Sequence, residues 1–190
     1  MQPRRLIRDG LIVAGYLSGL PALRRRRLVA NDERPSRILC FHRIVDVDGF
    51  EAKLAFLRNH FLITSLDGSM DPPGNDDRPK IAITFDDGYR SWLELIPLLE
   101  RFEIPATFFL CSGFLDCRTE EESLAFCSRN LGLRNGEETL GWIGARLLAE
   151  NPLFALGGHT HTHRNVATLS HTEAISEIAE DKRLLESRLE

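Results

Sequence analysis

At 190 residues the chain is long enough for one domain with a sizeable core, and 43% apolar against 27% charged residues excludes a disordered polypeptide. The net charge of −4 conceals an asymmetry: residues 1–30 hold seven Arg against one Asp, a local +6, which leaves about −10 on the rest. A basic head on an acidic body points the head at an anionic surface. Lipid is favoured over nucleic acid, because no aromatic platform or second basic stripe accompanies the arginines.

In chain order, the apolar run from Leu11, even extended to Leu23, is only thirteen residues, too short to span a bilayer. Arginines flank it on both sides, and no small-residue cleavage site follows. Residues 4–27 fit a helix lying in a membrane interface, giving peripheral contact, and fit equally well an amphipathic helix packed on the domain. Residues 1–36 are therefore read as a basic, apolar segment and linker, and 37–190 as the folded domain of a cytoplasmic, membrane-associated protein. Arg37–Ile44 predicts a first strand, residues 50–60 a helix and Phe61–Leu66 a second strand. Asp67–Pro79, rich in Pro and Asp, predicts a surface loop; it lacks the ligand pattern of a calcium loop.

Ile81–Phe85 reads as a short buried strand ending at two adjacent carboxylates, Asp86 and Asp87, and a glycine. Tyr89–Phe102 has helical spacing interrupted at Pro97, where a kink or fresh start is expected, and Ile104–Leu110 is the next strand. Strand, helix, strand in this span is a βαβ unit with parallel strands, whose ligands gather at the carboxyl ends where Asp86 and Asp87 stand. Residues 113–151 read as an insertion covering one side of the site. It contains a helix from Glu120 and another over Leu140–Glu150 with Ile143, Leu147 and Leu148 on one side. Trp142 in it reads as a packed residue or a sugar platform. Pro152–Leu156 predicts a strand, and Ser170–Glu173 an N-cap opening a long amphipathic helix over Thr172–Leu189. Cys40 and Cys111, in or beside apolar runs, read as buried free thiols. None of the four cysteines forms a Cys-x-x-Cys pair, which argues against a zinc ribbon.

Neighbouring carboxylates repel one another unless a cation or shared proton relieves them. His159 and His163 stand four apart, which puts two imidazoles on one face if the segment turns into a helix. One Asp oxygen and two His nitrogens form a ligand set for an open zinc-type site, with a position left for water. On a strand, His159, His161 and His163 would instead share a face. The glycines before them and the helix after favour a turn, so His161 is left out of the set.

Thr84-Phe85-Asp86-Asp87-Gly88 together with His159-Thr160-His161-Thr162-His163 resembles the two leading motifs of the polysaccharide deacetylases, the NodB-homology group of carbohydrate esterases. Ile38–Ile44, Ile104–Phe109 and Asn165 also match the family's wording, so the resemblance runs from about residue 37 to the end. It implies a distorted (β/α) barrel, with Asp86 as general base and Asp87, His159 and His163 as ligands of a divalent metal, zinc first and nickel or cobalt next. His42, Thr160 and Thr162 would stand behind these groups or on the substrate side. The implied reaction removes N-acetyl groups from an amino-sugar polymer or its lipid-linked precursor, and the basic, apolar head favours a place in envelope or exopolysaccharide synthesis.

Two features depart from the family pattern. Arg164 stands where a proline is common. The later Arg-Pro, acidic-aromatic and Leu-x-His segments, which supply groove walls, an oxyanion-binding amide and the acid for the leaving amine, have no counterpart. The expectation is a barrel incomplete at its C-terminus, the amino-terminal part of a longer enzyme. Rival readings are an inactive metal- or glycan-binding remnant, a small-amide hydrolase on the same fold, and a phosphate-accepting receiver domain. Intact Asp86 argues against the remnant, and the histidines argue against the Mg²⁺ site of a receiver.

Overall fold

The computed structural model describes residues 36–72 and 76–189, so the expected interfacial segment, 4–27, lies outside the described residues. A parallel sheet carries the fold. Its strands are β1 (Arg37–Phe41), β2 (Leu62–Thr64), β3 (Lys80–Asp87), β4 (Ala106–Leu110) and β5 (Phe154–Gly158), in the order β1-β3-β4-β5, with β2 paired to the start of β3. Strand β3 is central and longer than predicted. Both carboxylates belong to it, because Asp86 and Asp87 still pair with Phe109 and Leu110 of β4.

Helices α1 (Val47–His60), α2 (Ile96–Arg101), α3 (Ser112–Leu115), α4 (Glu120–Arg129), α5 (Gly141–Ala149) and α6 (His171–Leu189) complete the layers. Among the described residues, no helix is long and apolar enough to cross a membrane. Pro97 sits in the first turn of α2, where its missing N–H costs nothing, so the helix starts afresh there after a 3-10 turn over Arg90–Glu94. Phe85 stacks on Phe108 at 4.9 Å and contacts Phe41, Phe50 and Trp92, an aromatic core beneath the C-terminal half of β3.

Helix α5 corrects one reading. Leu148 is buried, but Ile143 is 83% exposed and Leu147 is half-exposed. The helix docks through Leu148 with two small residues: a Cβ on Gly144 would lie 3.2 Å from Leu93 Cδ2, and Ala145 beside it is fully buried. Trp142 is packed: its Nε1 donates to Asp116 Oδ1 at 2.9 Å, and the Arg188 guanidinium lies 4.7 Å over its ring. Cys111 is buried as expected, whereas Cys40 is exposed. Alternation along β1 sends Leu39 and Phe41 toward α1 and leaves Cys40 on the other face.

Candidate metal centre

Strand β3 delivers Asp87 to the floor of the site. Its backbone turns out of the strand with φ 94°, and Gly88 follows at φ 120°, a conformation that favours glycine. Only 2% of Asp87 is exposed. The Tyr89 hydroxyl donates to Asp87 Oδ2 at 2.7 Å; burial and this carboxylate push the phenol well above its ordinary range. The other oxygen, Oδ1, is buried with no hydrogen-bond partner among the described residues. Facing it, at 3.4 Å each, are His159 Nε2 and His163 Nε2.

The histidines arrive on an irregular loop after β5, not on a helical turn. Thr160 (φ 64°) and His163 (φ 57°) both adopt left-handed conformations, and the two rings end 5.0 Å apart. Two anchors hold the loop. From α6, Glu177 accepts from Thr162 N at 2.8 Å and from Thr162 Oγ1 at 2.6 Å, while its carbonyl accepts from His161 N. From the end of α4, the Asn130 side chain donates to Thr162 O at 2.8 Å. The Asn130 carbonyl lies 3.2 Å from His163 Nδ1; a proton placed there leaves Nε2 with its lone pair toward Asp87.

His161 turns the other way, with Nδ1 3.0 Å from Ser112 Oγ. Its carbonyl accepts from Gly113 N at 2.8 Å, an approach that a Cβ on Gly113, 2.3 Å from that oxygen, would block. Beneath the loop, buried Asp181 of α6 accepts from Ser112 N at 2.8 Å and abuts Gly158, where an added Cβ would lie 2.5 Å from Asp181 Oδ2. Tyr89, Asn130, Glu177 and Asp181 escaped the sequence reading. The one signal for the last two was acidic residues falling on the inward stripe of α6, beside Leu184.

Asp86 precedes Asp87 at the carboxyl end of β3, beside this centre. Its Oδ2 accepts from Cys40 Sγ at 3.1 Å, and partial burial together with this carboxylate pushes the thiol up to about 11. His42 follows β1; its carbonyl accepts from Trp92 Nε1 at 2.9 Å, and its ring Nδ1 is 4.0 Å from Cys40 Sγ. Thr160 borders a cleft with Asn165 and the two facing histidines, while the Thr162 hydroxyl is engaged by Glu177.

The donor chemistry fits a divalent cation. Asp87, His159 and His163 each offer a ligand atom within 4.8 Å of the others, and the buried, unpartnered Asp87 Oδ1 is the atom a cation would satisfy. Two imidazoles and a carboxylate suit zinc-like metals better than magnesium.

The polysaccharide deacetylase family model matches residues 73–190. Comparison with curated protein sequences gives no match. Among solved structures, the fold is similar to IcaB from Ammonifex degensii, at 20% identity and a TM-score of 0.64 over 82% of this chain and 70% of that one. It is also similar to a de-N-acetylase from Aggregatibacter actinomycetemcomitans, at 17% identity and a TM-score of 0.58 over 81% and 75%. A polysaccharide deacetylase from Bacillus cereus gives 19% identity and a TM-score of 0.57 over 80% of this chain but 46% of its own length. At these identities the likeness is one of fold: the α/β architecture and parallel sheet are those of the deacetylase barrels over the shared part. The family match across Thr84–Gly88 and the histidine loop has the consequence that this chain belongs to the polysaccharide deacetylase family.

Proposed function

We propose that the protein is a metal-dependent hydrolase that removes N-acetyl groups from an amino-sugar polysaccharide or its lipid-linked precursor. The observation that carries this reading is the buried Asp87 Oδ1, without a hydrogen bond and faced by two imidazole nitrogens at 3.4 Å. In this reading Asp87, His159 and His163 hold the cation, zinc first. When bound, the cation supplies an acidified water, with a pKa of about 7 for zinc, and a positive charge against the acyl oxygen.

The chain's own residues do the rest. Tyr89 fixes Asp87 Oδ2, so that Oδ1 alone turns to the histidines. Asn130 and Glu177 hold the loop, which keeps both Nε2 atoms aimed inward without reorganisation. Asp86, adjacent to Asp87 and outside the ligand set, takes the proton of the attacking water. The basic head, residues 4–27, would bring the enzyme to an anionic membrane where a lipid-linked substrate resides.

Elemental analysis of the purified full chain tests the centre. The expected result is about one zinc, nickel or cobalt per chain, lost in both Asp87→Ala and His159→Ala, together with acetate release from N-acetylglucosamine oligomers. A folded wild-type protein that takes up no metal after incubation with zinc would sink the reading.

A further inference from the structure

The register of the sheet sorts side chains by face. Phe41 pairs with Phe85 and both enter the aromatic core, while Cys40 pairs with Thr84 on the other face. His42, two residues beyond Cys40, and Asp86, two beyond Thr84, follow the same alternation. The outcome is a group whose ligand atoms, Cys40 Sγ, a His42 ring nitrogen and an Asp86 oxygen, lie within 4.8 Å of one another. A tetrahedral zinc, with bonds of about 2.3 Å to sulfur and about 2.0 Å to nitrogen, needs its ligands about 3.3–3.8 Å apart. The 3.1 Å from Cys40 to Asp86 and 4.0 Å from Cys40 to His42 bracket that spacing, so small rotations suffice. Sulfur, nitrogen and oxygen donors together select zinc, cobalt or cadmium over magnesium or calcium. Cys40 and His42 are exposed, so an ion reaches them from solvent.

We propose that Cys40, His42 and Asp86 form a second site for a thiophilic divalent cation, separate from Asp87–His159–His163, and that filling it inhibits the enzyme. Binding forms a sulfur–metal bond and releases the thiol proton to solvent. The cation then engages the Asp86 carboxylate, which can no longer accept a proton from water. The inhibition rests on Asp86 being the base; the binding does not. Exposure makes this the weaker of the two sites, filled at higher metal concentration.

Cobalt(II) titration of the metal-free full chain tests it, following bound cobalt by equilibrium dialysis and the thiolate-to-cobalt charge-transfer absorption. A first equivalent should bind without that absorption and a second should bring it. Cys40→Ala should lose the absorption and the second equivalent while keeping the first, which also reports that the variant is folded. His159→Ala should do the reverse, and Cys117→Ala should behave as wild type. Absence of thiolate absorption in wild type, or its persistence in Cys40→Ala, would overturn the site. Excess zinc should lower wild-type deacetylation about 100-fold and spare Cys40→Ala, as expected for loss of a general base; equal inhibition of both would overturn the inhibitory role. A chain that binds the second cobalt but deacetylates nothing would refute the proposed function and leave the second site standing.

Discussion

Asp87 is a carboxylate with 2% exposure whose two oxygens have different fates. Oδ2 is bonded to Tyr89, and Oδ1 has no hydrogen-bond partner among the described residues. Tyr89→Phe removes that bond inside the protein and should destabilise it by about 1–3 kcal/mol, read by urea denaturation of the metal-free form. Asp86→Asn should separate chemistry from binding at the Asp87 centre: kcat falls about 10²–10⁴-fold while the first equivalent of bound metal is unchanged. Loss of that first equivalent in parallel would instead make Asp86 a ligand of the Asp87 centre. At this scale the sequence was eloquent about which residue types assemble, since paired carboxylates and spaced histidines have few other uses. It was silent on Tyr89 and Asn130, because a phenol and an amide are common everywhere and acquire their roles only through contact.

At the scale of elements, the site depends on how the loop from Gly158 to Asn165 is tied to α4 and α6. Glu177→Ala removes the acceptors for Thr162 N and Oγ1 and should cost metal affinity before it costs the fold. Calorimetry should show weaker zinc binding, by about 10–100-fold, with helix content intact. The start of α6 carries the expected capping box: Ser170 Oγ accepts from Glu173 N, and Glu173 Oε2 accepts from Ser170 N at 3.0 Å. Ser170→Ala should lower stability by about 1 kcal/mol through the lost cap. Its bonds to Ser170, and then Arg164, hold the Glu173 carboxyl down to about 2 against an ordinary 4.5. A depressed acid stabilises above its unfolded value, so this contribution is present above about pH 4.5 and disappears as pH falls towards 2. The difference in melting temperature between wild type and Ser170→Ala should therefore narrow over that window. The cap was legible because it is local in sequence. The conformation of the histidine loop was not: its left-handed Thr160 and His163 depend on partners at Asn130 and Glu177, some distance away along the chain.

Across the whole molecule, a cation held by Asp87, His159 and His163 would link metal to fold, because it would satisfy a buried oxygen that has no hydrogen-bond partner among the described residues. Zinc at about 100 times its dissociation constant should stabilise the native state by about 2.7 kcal/mol, seen as a rise in melting temperature that a chelator reverses and Asp87→Ala abolishes. The sequence by itself determined the family, the parallel strands and the candidate ligands, since hydrophobic periodicity and motif chemistry are written in consecutive residues. Tertiary structure alone decided three things. Cys40 left the expected interior to meet Asp86, because the pairing of β1 with β3 assigns its face. Helix α5 docked on the face of Gly144, Ala145 and Leu148 and not through Ile143, because the neighbours it packs against, Leu93 among them, lie on that side and approach closely at Gly144. Asp87 kept one oxygen unpartnered between two imidazoles, because β3, the loop after β5 and helices α4 and α6 converge on one point from separate parts of the chain.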